Sequence, residues 1–303
     1  MGCFVAGTLV HTKEGLWPIE QIKVGDYVLS KPESGERQPG YQKVTRTFEH
    51  DDREVYLVSW TVVDSPIPWA EQEPAFVVVT GAHPFWVKRF VDRDDNSVRE
   101  INAWMSIEEF YNINFEFNWV HNKSGVDAQV ELHDGRVAQL GSVRPLLRSR
   151  EPDTGVAFKD SVYWGENASG PEVRFGAEGP VVAKRPDGLF AEVGLDVHDA
   201  IDYDQYPERS LTRRSKGFLP MRRKVFNIEV ETNHSYYVGK TGVWVHNISG
   251  IVKTPLATTP AQSVGVYAGD KARARFVAEL TANDFKGLGI IPDGSFTGTR
   301  IDE

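Results

Sequence analysis

Runs and alternations of apolar residues cut most of this chain into pieces of strand length. From residue 3 to about 90 the apolar groups are short and separated by turn residues. The longest are Tyr56-Leu57-Val58-Ser59-Trp60-Thr61-Val62-Val63 and Phe76-Val77-Val78-Val79, rich in β-branched and aromatic side chains. Pro66, Pro68 and Pro74 break the chain between them. Further on, Phe226, Ile228 and Val230 alternate with Asn227, Glu229 and Glu231, the period of two that describes a half-buried strand. Tyr236-Tyr237-Val238 and Val243-Trp244-Val245 then flank Gly239-Lys240-Thr241-Gly242, whose two glycines suit the positive φ of a hairpin loop. Helical signals are scarce. The best in the first half is Ser106-Ile107-Glu108-Glu109-Phe110, where Ser106 and Glu109 have the spacing of a capping box. The pattern predicts an all-β domain with one short helix.

Two regions break this texture. Between about 150 and 220 the chain turns to Gly, Pro and charged residues, as in Glu151-Pro152-Asp153-Thr154-Gly155 and Ala177-Glu178-Gly179-Pro180, and reads as an insertion. Its acidic stretch Asp196 to Asp204 and the basic pairs Arg213-Arg214 and Arg222-Arg223 read as solvated surface. After Asn247 comes a linker, Thr254-Pro255-Leu256-Ala257-Thr258-Thr259-Pro260, followed by a helix predicted from Asp270 to Leu280. The boundaries are therefore 1–247 for the main domain, with its insertion at about 150–220, and 248–303 for a linker and a small mixed segment. So short a segment does not support an independent core, which makes it the beginning of a downstream domain.

Composition narrows the function classes. In 303 residues, Lys and Arg number 34 against 43 Asp and Glu, a formal charge of −9 that argues against nucleic acid or an anionic membrane as partner. Hydrophobic residues at 40% and aromatics at 11% make folding the expectation, and no apolar run approaches the roughly 20 residues that span a bilayer. The opening Met1-Gly2-Cys3-Phe4-Val5-Ala6 lacks the basic flank and apolar length of a signal peptide. With one cysteine and eight histidines that have no ligand spacing, the expectation is no disulfide, no metal and no cofactor.

Three short stretches can carry chemistry. Cys3 is either a small buried hydrophobe or a nucleophile. Gly2 before it favours the second reading, because a thiol attacking the carbonyl of its own preceding peptide bond gains from a residue without Cβ. A free thiol is largely protonated at neutral pH, so a base or an amide-activating donor must come from elsewhere. Thr80-Gly81-Ala82-His83, at the end of an apolar strand and stopped by Pro84, offers a hydroxyl and an imidazole that can face one spot. In Val245-His246-Asn247-Ile248 the Asn amide can attack its own backbone carbonyl, close a succinimide and release the next residue, with the neighbouring imidazole assisting. His234 lies close enough in the chain to reach the same carbonyl. A His-Asn pair alone means little: Trp119-Val120-His121-Asn122 repeats the letters of Trp244-Val245-His246-Asn247 and is read as chance.

Taken together, Cys3-Phe4-Val5-Ala6-Gly7-Thr8-Leu9-Val10 with Pro18-Ile19-Glu20-Gln21-Ile22-Lys23-Val24-Gly25-Asp26-Tyr27-Val28-Leu29 resembles the opening of a Hint (hedgehog/intein) domain. Thr80 to His83 continuing as Pro84-Phe85-Trp86-Val87 resembles the family's second motif, and Val225-Phe226-Asn227-Ile228-Glu229-Val230 through Val245-His246-Asn247 its closing motifs. Together these motifs closely resemble the pretoxin Hint domains of bacterial polymorphic toxins, over about residues 3–145 and 224–247. That resemblance implies a horseshoe-like β fold with pseudo-two-fold symmetry that brings the two ends of the domain together. It implies an N-to-S acyl shift at Cys3 assisted by Thr80 and His83, and cyclisation of Asn247 assisted by His246 and His234. Gly25-Asp26 is expected to be a structural turn.

Two departures shape the expected reaction. Ile248 stands where a splicing intein needs Cys, Ser or Thr to receive the acyl group, so cleavage replaces ligation. Asn227 occupies the place where many inteins carry an Asp that coordinates the two ends, which makes it the candidate for coupling the two cuts. The expected activity is single-turnover autoproteolysis at Asn247-Ile248 and at Gly2-Cys3, releasing a toxin segment held in cis. The resemblance allows an immunity protein as partner. It implies a cytoplasmic location in the producing cell, with export only as part of a larger effector. The alternative is a catalytically degenerate Hint fold that serves as a spacer or interaction module. A third route, transfer of the thioester to an external nucleophile, has no use for the His246-Asn247 ending.

Overall fold

The computed structural model describes residues 2–68, 71–110, 125–149, 151–157, 169–194 and 220–247. Among them the chain is almost entirely β: eighteen strands, every pairing antiparallel, linked into one extended sheet system. The all-β expectation holds. No helix among the described residues is long and apolar enough to cross a membrane.

The continuous apolar runs are continuous because both of their faces are covered. In the strand Tyr56–Val62, Tyr56, Val58 and Trp60 enter the main core while Leu57 enters a second one on the opposite face. The neighbouring strand Ala75–Val79 divides in the same way, with Val77 and Val79 in the main core and Val78 in the second.

The second core is closed by a region whose texture suggested only an insertion. Thr154–Ala157, Ser169–Gly176 and Gly179–Val182 form antiparallel strands, and their Ala157, Val173 and Val182 pack with Cys3, Val5, Leu57, Val78 and Val225. The fit is close where the Gly176–Gly179 turn meets the N-terminal segment. A Cβ on Gly7 would stand 2.2 Å from Gly179 Cα, and both glycines have positive φ, so neither site admits a side chain.

Two pairings bring the ends of the described domain together. The strand Phe4–Val5 lies between Ala75–Val79 (Phe4 opposite Val79) and Arg222–Val230 (Phe4 opposite Phe226). The closing hairpin, Ser235–Val238 with Val243–His246, is pinned through Val238 opposite Val10 and Val245 opposite Phe85. Its loop glycines have the expected positive φ, 74° at Gly239 and 69° at Gly242. Gly25 also has positive φ, and Asp26 closes its turn by accepting from the Lys23 N–H at 2.7 Å.

The period-two reading of Arg222–Val230 needs one correction. Ile228 and Val230 are buried as expected, but Asn227 is also buried and Phe226 only partly so. Asn227 alone of the polar positions is turned inward, against the Gly2 carbonyl, while Glu229 stays partly exposed beside Arg46. The capping box is present: the Ser106 N–H donates to Glu109 Oε2 at 2.6 Å and the Glu109 N–H to Ser106 Oγ at 3.3 Å. Arg222 pairs with Asp52 and Glu54, and Arg223 with Asp153, at the surface. The acidic stretch 196–204, Arg213-Arg214, Trp119-Val120-His121-Asn122, Ile248, the linker and the helix expected at 270–280 lie outside the described residues.

Candidate functional site

Cys3 reaches the site on the short strand Phe4–Val5 and is 1% exposed. Its peptide N–H donates to Thr80 Oγ1 at 2.9 Å, and the Thr80 N–H donates back to the Cys3 carbonyl at 2.9 Å. The Thr80 hydroxyl therefore contacts the nitrogen of the Gly2-Cys3 peptide bond. Burial pushes the Cys3 thiol up to about 11, so it rests as the neutral thiol. Any attack must then coincide with removal of its proton.

His83 follows in the same turn, its N–H donating to the Thr80 carbonyl at 3.1 Å. The ring is wholly buried against Phe4, centroids 4.2 Å apart, and burial pushes its proton affinity down to about 3. It is a neutral imidazole at any physiological pH. The Gly2 backbone lies against it, and its peptide group works in the direction of raising the ring's basicity, yet neither ring nitrogen makes a hydrogen bond of good geometry among the described residues. A Cβ on Gly2 would stand 2.7 Å from both the Cα and Nδ1 of His83, so the close approach requires glycine.

Asn227 joins the two ends. Its Nδ2 donates to the Gly2 carbonyl at 2.7 Å and to the Asn247 carbonyl at 3.0 Å. Its Oδ1 accepts from the Ile228 N–H at 2.8 Å and the Tyr236 hydroxyl at 2.7 Å. Those four bonds use the full capacity of a side-chain amide and fix which way it points. One NH2 group thus bridges the Gly2 and Asn247 carbonyls, one at each end of the described domain.

Asn247 is buried beside it. Its N–H donates to the His234 carbonyl at 2.9 Å, while neither atom of its side-chain amide has a hydrogen-bond partner among the described residues. Leaving such a buried group unpaired costs about 1–3 kcal/mol. The turn holding it is strained: Thr232 and His234 have φ of 65° and 50°, unusual for side-chain-bearing residues and strongly so for a β-branched one. The His234 backbone anchors Asn247, and its imidazole acts electrostatically on His246 and Glu33.

His246 is completely buried, with its ring against the edge of Trp104, centroids 4.8 Å apart. Its Nε2 bonds Glu33 Oε2 at 2.9 Å. Burial lowers the proton affinity of His246, and the Glu33 carboxylate opposes that; Glu33 in turn is held below the usual carboxylate range, chiefly by this hydrogen bond.

Gly2, Cys3, Thr80, His83, Asn227, His234, His246 and Asn247 therefore gather at one place, and Ile248 lies outside the described residues. Two participants went unnoticed in the sequence. Tyr236 was read as a hairpin residue, and its hydroxyl did not stand out between those of Ser235 and Tyr237. Glu33 lies in a loop 213 positions from its partner and gave no signal.

No family model and no curated protein matches the sequence. Among solved structures the chain is similar to a bacterial intein-like domain from Clostridium thermocellum, 17% identical over 82% of this chain and 99% of that one, TM-score 0.37. It is similar to the gp41-1 intein at 13% identity over 82% and 99%, TM-score 0.37. It is likewise similar to a DnaB intein from Synechocystis sp. PCC 6803, at 9% identity over 82% and 99%, TM-score 0.39.

Proposed function

We propose that this chain is a single-turnover, self-cleaving domain of the intein-like Hint kind, which releases its downstream segment by cutting Asn247-Ile248 and opens the Gly2-Cys3 bond through a thioester. The observation that carries this is the Asn227 amide donating to both the Gly2 and the Asn247 carbonyls. A structural spacer has no need for one donor on two backbone carbonyls, or for a buried Asn247 amide without a partner among the described residues.

At the C-terminal end, Asn247 Nδ2 attacks its own backbone carbonyl carbon. The new C–N bond closes a succinimide, the Asn247-Ile248 bond breaks, and the proton lost by Nδ2 is the one gained by the departing Ile248 amine. His246 relays it. Asn227 stabilises the oxyanion that develops on the Asn247 carbonyl, the type of donor whose removal costs about 100-fold or more in rate.

At the N-terminal end, Cys3 Sγ adds to the Gly2 carbonyl carbon, the Gly2-Cys3 C–N bond breaks, and the thiol proton ends on the freed Cys3 amine. A neutral His83 suits a relay, since it holds a lone pair for that proton and binds it too weakly to keep it. Water then hydrolyses the thioester. With Ile248 in place of a Cys, Ser or Thr acceptor, the flanking segments are not joined.

In this reading residues 1–247 are the processing unit and 248–303 a toxin-like segment carried in cis, with an immunity protein as the partner of that segment. Intact-mass spectrometry of the purified full chain over time tests it. The parent yields a fragment beginning at Ile248 and Asn247→Ala does not; equal amounts from both refute cyclisation.

A further inference from the structure

The segment that carries Glu33 is bolted in place on every side. Ser30 Oγ donates to the Ser235 carbonyl at 2.7 Å, and Ser235 Oγ donates to the Lys31 carbonyl. Trp244 Nε1 donates to the same Ser235 Oγ at 2.8 Å. Lys31 lies over the Trp244 ring, 4.7 Å from its centroid, and pairs with Glu131. Gly35, with φ of 78°, turns the chain by donating to the Pro32 carbonyl at 2.8 Å and rests against Trp86.

Glu33 itself is held twice. Trp104 Nε1 donates to its backbone carbonyl at 3.2 Å, and its side chain meets His246 at 2.9 Å. The same Trp104 supports the His246 ring from its edge and packs against Trp86 and Trp244. An exposed carboxylate on a free loop loses much of its interaction to water and side-chain entropy. The Glu33 side chain is half exposed, but with its backbone held by Trp104 less entropy is lost in keeping the carboxylate on the wholly buried imidazole.

We propose that Glu33 is the positioning residue for His246: its carboxylate accepts the Nε2 proton, which fixes the tautomer and ring orientation and makes Nδ1 the basic nitrogen of the ring. The inference rests on the cleavage reading above for what Nδ1 does, but the dyad itself stands on contacts within the described fold. The titratable groups that face His246 are Glu33 from this loop, His234 from the turn before Ser235–Val238, and His83 from the turn before Pro84. Of these only Glu33 is an anion that favours the protonated ring.

The test uses the full chain in two forms. On an Asn247→Ala background, which stays intact, NMR follows the His246 imidazole as pH is varied. Replacing Glu33 by Gln removes the anion, so the ring should titrate at lower pH by about one unit. An unchanged or raised midpoint overturns the dyad.

With Asn247 present, Glu33→Gln should slow release of the Ile248 fragment about tenfold, and Glu33→Asp should recover part of that loss. The limb of the pH–rate profile set by His246 should move to lower pH. A uniform loss at every pH, with no shift, overturns the positioning role. Glu33 is half exposed on a loop, so both variants are expected to fold. If the parent releases no Ile248 fragment, the cleavage reading fails while the titration still decides Glu33.

Discussion

The Tyr236 hydroxyl donates to Asn227 Oδ1 at 2.7 Å, and through that bond it decides which end of the Asn227 amide faces the two backbone carbonyls. With Oδ1 engaged by two donors, a flipped amide would set NH2 against N–H and O–H and oxygen against two carbonyl oxygens. Tyr236 thereby couples the central strand Arg222–Val230 to the hairpin that ends at Asn247.

Removing that hydroxyl should touch both reactions at once. In Tyr236→Phe the ring still packs on Phe4, so the core is kept, but Asn227 Oδ1 retains only the Ile228 donor and the amide is held less firmly. Both the hydroxylamine-dependent cut before Cys3 and the cut after Asn247 should slow by about tenfold, which is about 1.4 kcal/mol in each barrier. Mass spectrometry of both products decides it; slowing of one cut alone would separate Asn227 from the other.

Much of this could be read in the letters, and the failures have physical causes. The strands around Tyr56–Val62, Ala75–Val79 and the Gly239–Gly242 hairpin follow from period and turn chemistry, which act locally. The chemistry-bearing side chains Cys3, Thr80, His83, His246 and Asn247 stood out because their types are reactive, and the fold brings them together. Asn227 was singled out through the family likeness, while period alone put it only on the polar side of a half-buried strand, because alternation carries no information about whether the second face is covered. Here that face is covered: Val225, two positions earlier, packs with Ala157, Val173 and Val182, on strands too short and too Gly-rich to stand out in a charged stretch. Tyr236 and Glu33 were missed for a different reason: each is ordinary in its own neighbourhood, and each matters only through a partner that tertiary structure supplies.

Gly2→Ala separates the two ends. The added Cβ would meet the Cα and Nδ1 of His83 at 2.7 Å, and the wholly buried His83 cannot yield. The N-terminal residues must move instead, which draws the Gly2 carbonyl away from Asn227. Thiol-induced scission before Cys3 should fall by about tenfold or more, while the Ile248 fragment appears at an unchanged rate. Loss of both would mean that the Gly2 contact also orders the C-terminal half of the site.

Acid should loosen the fold through His83. Its proton affinity in the folded chain is about 3, against about 6.5 for a free imidazole, because burial excludes the cation. The depressed value means that its contribution is fully present above about 6.5. As pH falls from there towards 3, the unfolded chain takes up a proton that the folded chain refuses, and stability drops by up to about 1.4 kcal/mol per pH unit. Burial also lowers the proton affinities of His11 and His246, which adds to the same trend. His83→Phe keeps an aromatic ring against Phe4 and removes the titration. On the intact Asn247→Ala background, urea midpoints between pH 7 and pH 5 should fall less steeply in His83→Phe than in the parent. Equal slopes would mean that the imidazole gains a proton inside the folded site, and with it a partner that offsets burial; His83 would then act as an acid and not as a neutral relay.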